Sequence, residues 1–358
     1  MPARSTIGQR SSRDDRPALL ARGRSTYAGF AATIKLVGTG RRGSRDLSFD
    51  EARAAMAALL AGETSDAQAG AFLMALRLKG EAADELAGFA RALRDAARPL
   101  EADCDGRPLV ACGGAYDGVA ATPHLSVASA LAAAACGAAI VMHCGTTLGP
   151  KRGVTQGDVV GALGGIAAPS AEQSARMLER SGVALVHAPA VQPGWGRIAA
   201  IRDEMGVRGP LHAAERLQDF FGARRFVIGF THSPYSDRVL GALSRLGAER
   251  AVTVRGIEGS DVARPGRPTA FAADGPLDLP EQLGHRLPAE GGAEVSGEVT
   301  RAVLAGERNG AVEHAVALSA GLRLYAAGLA GDPRAGAECG RAALRDGRAA
   351  AALDALVG

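Results

Sequence analysis

Five short apolar runs, set apart by stretches with helical patterning, constrain this chain most. They are Leu109-Val110-Ala111-Cys112, Ile140-Val141-Met142, Ala184-Leu185-Val186-His187, Arg225-Phe226-Val227-Ile228-Gly229 and Ala251-Val252-Thr253-Val254. Each reads as a buried strand. Helical patterns lie between them, over 126–135, from near Gln156 through Val159–Leu163, and over 236–246. Strands alternating with helices predict an α/β domain with a central, mostly parallel sheet flanked by helices.

The segment ahead of the first strand follows a helical rule instead. Ser48-Phe49-Asp50-Glu51 is a capping box, with Glu51 three residues after Ser48. The helix it opens stops at Gly62. Thr64-Ser65-Asp66 starts another, which Lys79-Gly80 breaks, and a third runs from Ala82 to Ala96 before Arg98-Pro99. The expectation is a small helical domain over 27–100 and an α/β domain over 101–358. Helix 66–78 carries more apolar residues than one face needs, among them Ala67, Ala71 and Leu78 beside Ala69, Phe72, Leu73 and Leu76. The closing segment returns to helix over 310–326, 334–345 and 347–356.

Composition adds mild bounds. A chain of 358 residues that is 47% hydrophobic can bury a large core. Its formal charge of +3 is too small to argue for nucleic acid by itself. Arginines 4, 10, 13, 16, 22 and 24 outnumber Asp14 and Asp15 in residues 1–26, which predicts a disordered basic tail. Cys104, Cys112, Cys136, Cys144 and Cys339 form no C-x-x-C pair, so they read as reduced thiols. No membrane-like apolar run or apolar signal core is evident, and the expectation is a soluble, cytoplasmic protein.

The segment with most chemistry in it runs from His143-Cys144-Gly145 through Gly149-Pro150-Lys151-Arg152-Gly153 to Thr155. A strand, a glycine loop and then a helix present backbone N–H groups to an anion. Lys151 and Arg152 would add charge to that cradle. A solvated basic pair on a plain surface loop is the equally weighted alternative.

These residues, together with the helical segment 48–100, the Gly113-Gly114 turn, Gly206-Val207-Arg208 and the closing helices, resemble the nucleoside phosphorylase/phosphoribosyltransferase fold of the anthranilate phosphoribosyltransferase family. The resemblance implies a phosphoribosyl pyrophosphate-like donor, Mg²⁺, and a homodimer formed through the helical domain. The family's G-T-G-G-D turn falls on Ala111-Cys112-Gly113-Gly114-Ala115, keeping only the two central glycines. Its N-x-S-T helix start becomes His124-Leu125-Ser126-Val127, and its K-H-G-N-R loop becomes Met142-His143-Cys144-Gly145-Thr146. Arg202 matches the arginine that grips the acceptor's carboxylate. The metal pair D-E falls on Asp261-Val262, with Glu258 as a partial substitute on the same loop. The resemblance therefore implies phosphate binding by Gly113, Gly114, Ser126, Lys151 and Arg152, a weakened Mg²⁺ site at Asp261 and Glu258, and substrate contacts from His143 and Arg202.

Tyr116-Asp117-Gly118 before His124-Leu125-Ser126 is similar to a paralogous family that keeps this fold and dimer, alters the donor motifs and is linked to nucleic-acid binding. Arg255-Gly256-Ile257-Glu258-Gly259 looks like its H-G-T-E-G stretch, whereas its basic residues after the tyrosine turn are Val119, Ala120 and Ala121 here. Three readings stand open: a pentosyltransferase with a degenerate donor site and unknown acceptor, a sequence-independent nucleic-acid binder using Lys151, Arg152, Arg41, Arg42, Arg45 and the tail, and a dimer with a vestigial site. Trp195 reads either as a stacking residue for a base or as packing at the domain junction.

Overall fold

The computed structural model describes residues 27–40, 42–232, 235–281 and 286–358. The basic tail expected over 1–26, and Arg41, lie outside the described residues. The chain begins with four helices, α1 (Phe30–Gly38), α2 (Phe49–Leu60), α3 (Asp66–Lys79) and α4 (Ala83–Ala96). Ser48 caps α2 and Ser65 caps α3, each accepting from the N–H three residues on while that residue's side chain accepts in return. Phe72 of α3 meets Phe30 and Phe89 edge-on, with ring centroids 5.1 and 6.1 Å apart, at the centre of this layer.

The remainder alternates: β1 (Leu109–Gly113), α5 (Ser126–Ala134), β2 (Ala139–Cys144), α6 (Gln156–Ala162), α7 (Ala171–Ser181), β3 (Val183–His187), α8 (Ala188–Val191), α9 (Trp195–Met205), α10 (Pro210–Ala214), β4 (Arg225–Phe230), α11 (Tyr235–Arg245), β5 (Arg250–Arg255), β6 (Ala270–Ala272) and β7 (Gly275–Pro276). Then come α12 (Ala293–Leu304), α13 (Ala311–Ala327), α14 (Pro333–Arg345) and α15 (Arg348–Val357). The sheet order is β3-β2-β1-β4-β5-β6-β7; β1 to β5 are parallel, and β6 and β7 add an antiparallel edge that the sequence patterning did not reveal.

Because side chains alternate across a strand, Val110 and Cys112 of β1 face one core and Ala111 faces another. The first core includes α5, α12, α13, α14 and α15. Helix α13 is buried around most of its circumference, even at Arg323. The helical layer also takes in residues from beyond position 100. Ile198 and Ile201 of α9 and Leu211 and Ala214 of α10 join the core of the first four helices, so the helical layer draws on two separate stretches of chain. That insertion brings the helical layer over the sheet edge where β1 and β4 end.

Candidate functional site

Parallel strands bring their C-terminal ends to a common edge, where α/β folds place ligands. Gly113 ends β1 at this edge. A Cβ there would fall 2.0 Å from the carbonyl oxygen of Arg216, and one at Gly114 would stand 3.4 Å from Asp261 Oδ1. Gly113 is therefore explained by close approach of the chain to itself, whereas Gly114 is bordered only by the Gln156 and Asp261 side chains and the Asp261 amide. Asp261, from the loop after β5, accepts from the Ser126 hydroxyl at the start of α5 and, at 2.5 Å, from the guanidinium of Arg323 in α13. Ser126, Asp261 and Arg323 are all 0% exposed. We call this the donor corner.

Three loops close over its outer side. The N–H groups of Ala120 and Ala121 donate to the Glu258 carboxylate at 3.0 and 2.9 Å. Lys151 Nζ donates to the carbonyls of Gly118 and Glu258, and lies 3.7 and 3.9 Å from the carboxylates of Glu258 and Asp117. Burial pushes the Lys151 ammonium below its usual range, against the pull of Asp117 and Glu258. Val119 and Val154 pair in a single antiparallel bridge. Arg152 donates to Asp203 at 2.6 Å.

The acceptor side is filled as well. His143 Nδ1 lies 2.7 Å from the Tyr116 hydroxyl, and its ring meets Phe220, while Tyr116 stacks at a tilt on Trp195. Burial holds the His143 imidazole down at about 4, so it is neutral at physiological pH. Arg202 is 3% exposed; its Nη1 donates to Glu215 and its Nε to His212 Nε2 at 3.1 Å. Burial raises the Glu215 carboxyl above its ordinary value even with Arg202 and Arg216 beside it. The void against Arg202 measures about 10 Å³, room for roughly one water.

An open space does exist next door. A cleft of about 760 Å³ separates the helical layer from the end of β4. It is lined by Arg77 and Glu81 of the helical layer, Arg208 and Arg216, and Thr231 and His232 after β4. Arg208 reaches back to Asp117 with N···O distances of 3.0 and 2.6 Å. Arg216 Nη1 donates to the Gly229 carbonyl at 2.7 Å, while its buried Nε has no partner. Burial lowers the Arg216 pKa and raises that of Glu81.

The fold brings the sequence-predicted residues together at this edge but alters what they can do. Gly113, Gly114 and Ser126 are packed against the chain's own atoms instead of an open cradle. Lys151 and Arg152 are each paired with a carboxylate. Arg202 is not an open carboxylate grip, because Glu215 already fills that role. His143 sits in an aromatic cluster, and Trp195 is packing. Asp261 and Glu258 do not fit Mg²⁺, an ion that needs about six oxygen ligands in octahedral array. Both Asp261 oxygens are engaged, one by a cation, and the Glu258 oxygens cap two amides. No group of three or more His, Cys, Asp or Glu side chains suited to a metal occurs among the described residues. Burial holds the Cys112 and Cys144 thiols up at about 12, where the thiolate is scarce. Sequence reasoning missed Arg216 and Arg323, since an arginine after a short helical turn and another inside a long helix carry no motif.

Two family models cover most of this architecture. Residues 33–97 match the helical bundle domain of the glycosyl transferase family and residues 110–350 match its a/b domain. The chain belongs to this family, in its phosphoribosyltransferase-like branch. It is similar to the anthranilate phosphoribosyltransferase of Rubrobacter xylanophilus, 32% identical over 322 residues, 87% of this chain and 93% of that one. The Thermus thermophilus enzyme of the same name is 34% identical over 318 residues, 87% of this chain and 95% of the relative. A crystal structure of the Thermus thermophilus enzyme superposes with a TM-score of 0.77 at 34% identity over 87% of this chain and 95% of that chain. The Saccharomyces cerevisiae enzyme in complex with PRPP and Mg shares the fold, with a TM-score of 0.78 at 18% identity over 92% of this chain and 96% of that one.

Proposed function

We propose that this chain is a phosphoribosyltransferase-like protein with a degenerate donor site, which binds a small phosphorylated ligand of the phosphoribosyl class in the cleft between its two layers. The observation that carries the reading is the convergence of Arg77, Arg208 and Arg216 on a cleft of about 760 Å³. Arginine N–H groups match phosphate oxygens in geometry and charge. Transfer to anthranilate itself is disfavoured, because an acceptor carboxylate would have to displace Glu215 from Arg202. The acceptor of any remaining transfer is unassigned.

Calorimetric titration with phosphoribosyl pyrophosphate and ribose 5-phosphate tests the proposal. Binding that weakens on Arg216→Ala supports it; no heat with either compound overturns it. A titration with single-stranded oligonucleotide run alongside covers the nucleic-acid reading. That reading has less support, since Lys151, Arg152 and Arg45 are all paired with carboxylates.

We also infer a homodimer. Phe72, Leu73 and Leu76 of α3 pack inward, leaving Ala67, Ala71 and an 80% exposed Leu78 on its outer side. Light scattering that reports a monomer at micromolar concentration would exclude this assembly. Five free cysteines suit a reducing cytoplasm. No helix among the described residues is long and apolar enough to cross a membrane.

A further inference from the structure

We propose that Arg323 is a built-in replacement for the divalent cation at Asp261, so that this chain meets anionic ligands without metal. Asp261 is the position to which the resemblance assigns a metal-binding carboxylate, and two structures of the Saccharomyces cerevisiae enzyme, one of them a variant, are described with Mg. In this chain one Asp261 oxygen accepts from the Arg323 guanidinium at 2.5 Å and the other from the Ser126 hydroxyl. All three side chains are 0% exposed. Such an arrangement neutralises the carboxylate from inside the fold. Helix α13 holds the guanidinium from below, where Arg323 Nη1 also donates to the Ser319 carbonyl at 2.8 Å.

The geometry opposes any exchange of this cation for Mg²⁺. An incoming ion would face a fixed positive charge on one side and would find one carboxylate in place of several oxygen ligands. Glu258, the other candidate ligand, is held by the N–H groups of Ala120 and Ala121 and by Lys151. Arg323 thus does two things a metal would do. It supplies positive charge behind the Gly113-Gly114 turn, and it ties the start of α5 to the loop after β5 through Asp261. This inference is independent of the cleft reading, because Arg323 does not line the cleft and altering it leaves Arg77, Arg208 and Arg216 in place.

Mn²⁺ is the probe, followed by electron paramagnetic resonance on the full chain. The unaltered protein should show no site tighter than millimolar, and its melting temperature should be the same in EDTA and in millimolar Mg²⁺. A single micromolar Mn²⁺ site would overturn the proposal. Arg323→Gln removes the charge but keeps a hydrogen-bond donor near Asp261. It should create a Mn²⁺ site and make the melting temperature rise with Mg²⁺ but not with NaCl at equal ionic strength. A folded Arg323→Gln protein with no Mn²⁺ uptake would also overturn it. If that variant does not fold, the measurement on the unaltered protein decides alone. Loss of ligand binding on Arg216→Ala concerns the cleft and leaves this result untouched.

Discussion

The donor corner and the interdomain cleft share one sheet edge yet handle charge in opposite ways. In the corner, Asp261 is neutralised by Arg323 and Glu258 by Lys151, and the space beside Gly113 is filled by the Arg216 carbonyl. Across the cleft, Arg77 and Arg216 line open volume with no carboxylate partner in contact among the described residues, and Arg208 lines it while paired with Asp117. Arg216 borders both regions, since its carbonyl packs on Gly113 while its side chain lines the cleft. A motif is therefore a poor guide to where a ligand binds once the charges around it are internally balanced. Open volume lined by arginines marks the place instead.

The harshest way to break the comparison is to unbalance the corner. Arg323→Ala leaves a fully buried carboxylate alone and should lower unfolding free energy by about 3–5 kcal/mol in a denaturant titration. Replacing Arg323 and Asp261 together by leucine should recover most of that loss, because a buried ion pair is roughly isoenergetic with well-packed apolar residues. A double change as damaging as the single one would mean that the pair does more than compensate itself.

Next in size is acid sensitivity from the sealed acceptor side. The His143 imidazole titrates near 4 in the fold and near 6.5 when unfolded, so the unfolded chain binds more protons between those values. Its stabilising effect is complete above pH ~6.5 and is lost as pH falls toward 4, by about 1.4 kcal/mol per pH unit. His143→Gln should flatten the stability profile in that window by the same slope. Urea unfolding at several pH values checks this, and an unchanged slope would place His143 in contact with solvent.

Arg216→Ala addresses the cleft. Ligand affinity should fall about ten- to a hundredfold, the worth of roughly one or two charge-assisted hydrogen bonds. The smallest effect belongs to Lys151→Ala, about threefold or less in ligand affinity, since Asp117 and Glu258 already balance that charge. A larger loss on Lys151→Ala than on Arg216→Ala, in calorimetry under the same buffer, would reverse the assignment of the two regions.

Much of the scaffold was legible beforehand. The capping box at Ser48, the start at Thr64-Ser65-Asp66 and the breaks at Gly62 and Lys79-Gly80 mark the first helices, because caps and glycines act within a few residues of themselves. Strands β1 to β5 were visible as apolar runs for the same local reason. The antiparallel pair β6–β7 was not, being three and two residues long and stabilised by its neighbour β5. The union of α9 and α10 with the first four helices was equally invisible, since Ile198 and Leu211 look like any apolar residue until their partners are known.

The sequence by itself determined the family-type scaffold, the alternation of strand and helix, and the position of Gly113, Ser126, His143, Arg202 and Asp261 near the ends of strands and helices. Tertiary structure alone decided which of them are free to act. Arg323 lies 62 residues from Asp261, Glu215 lies 13 from Arg202, and Lys151 lies 107 from Glu258, yet each pair is in contact. Pairing of charges across such separations depends on three-dimensional proximity and shared burial, for which linear spacing carries no signal. The same is true of open volume, which is what remains after the rest of the chain has packed.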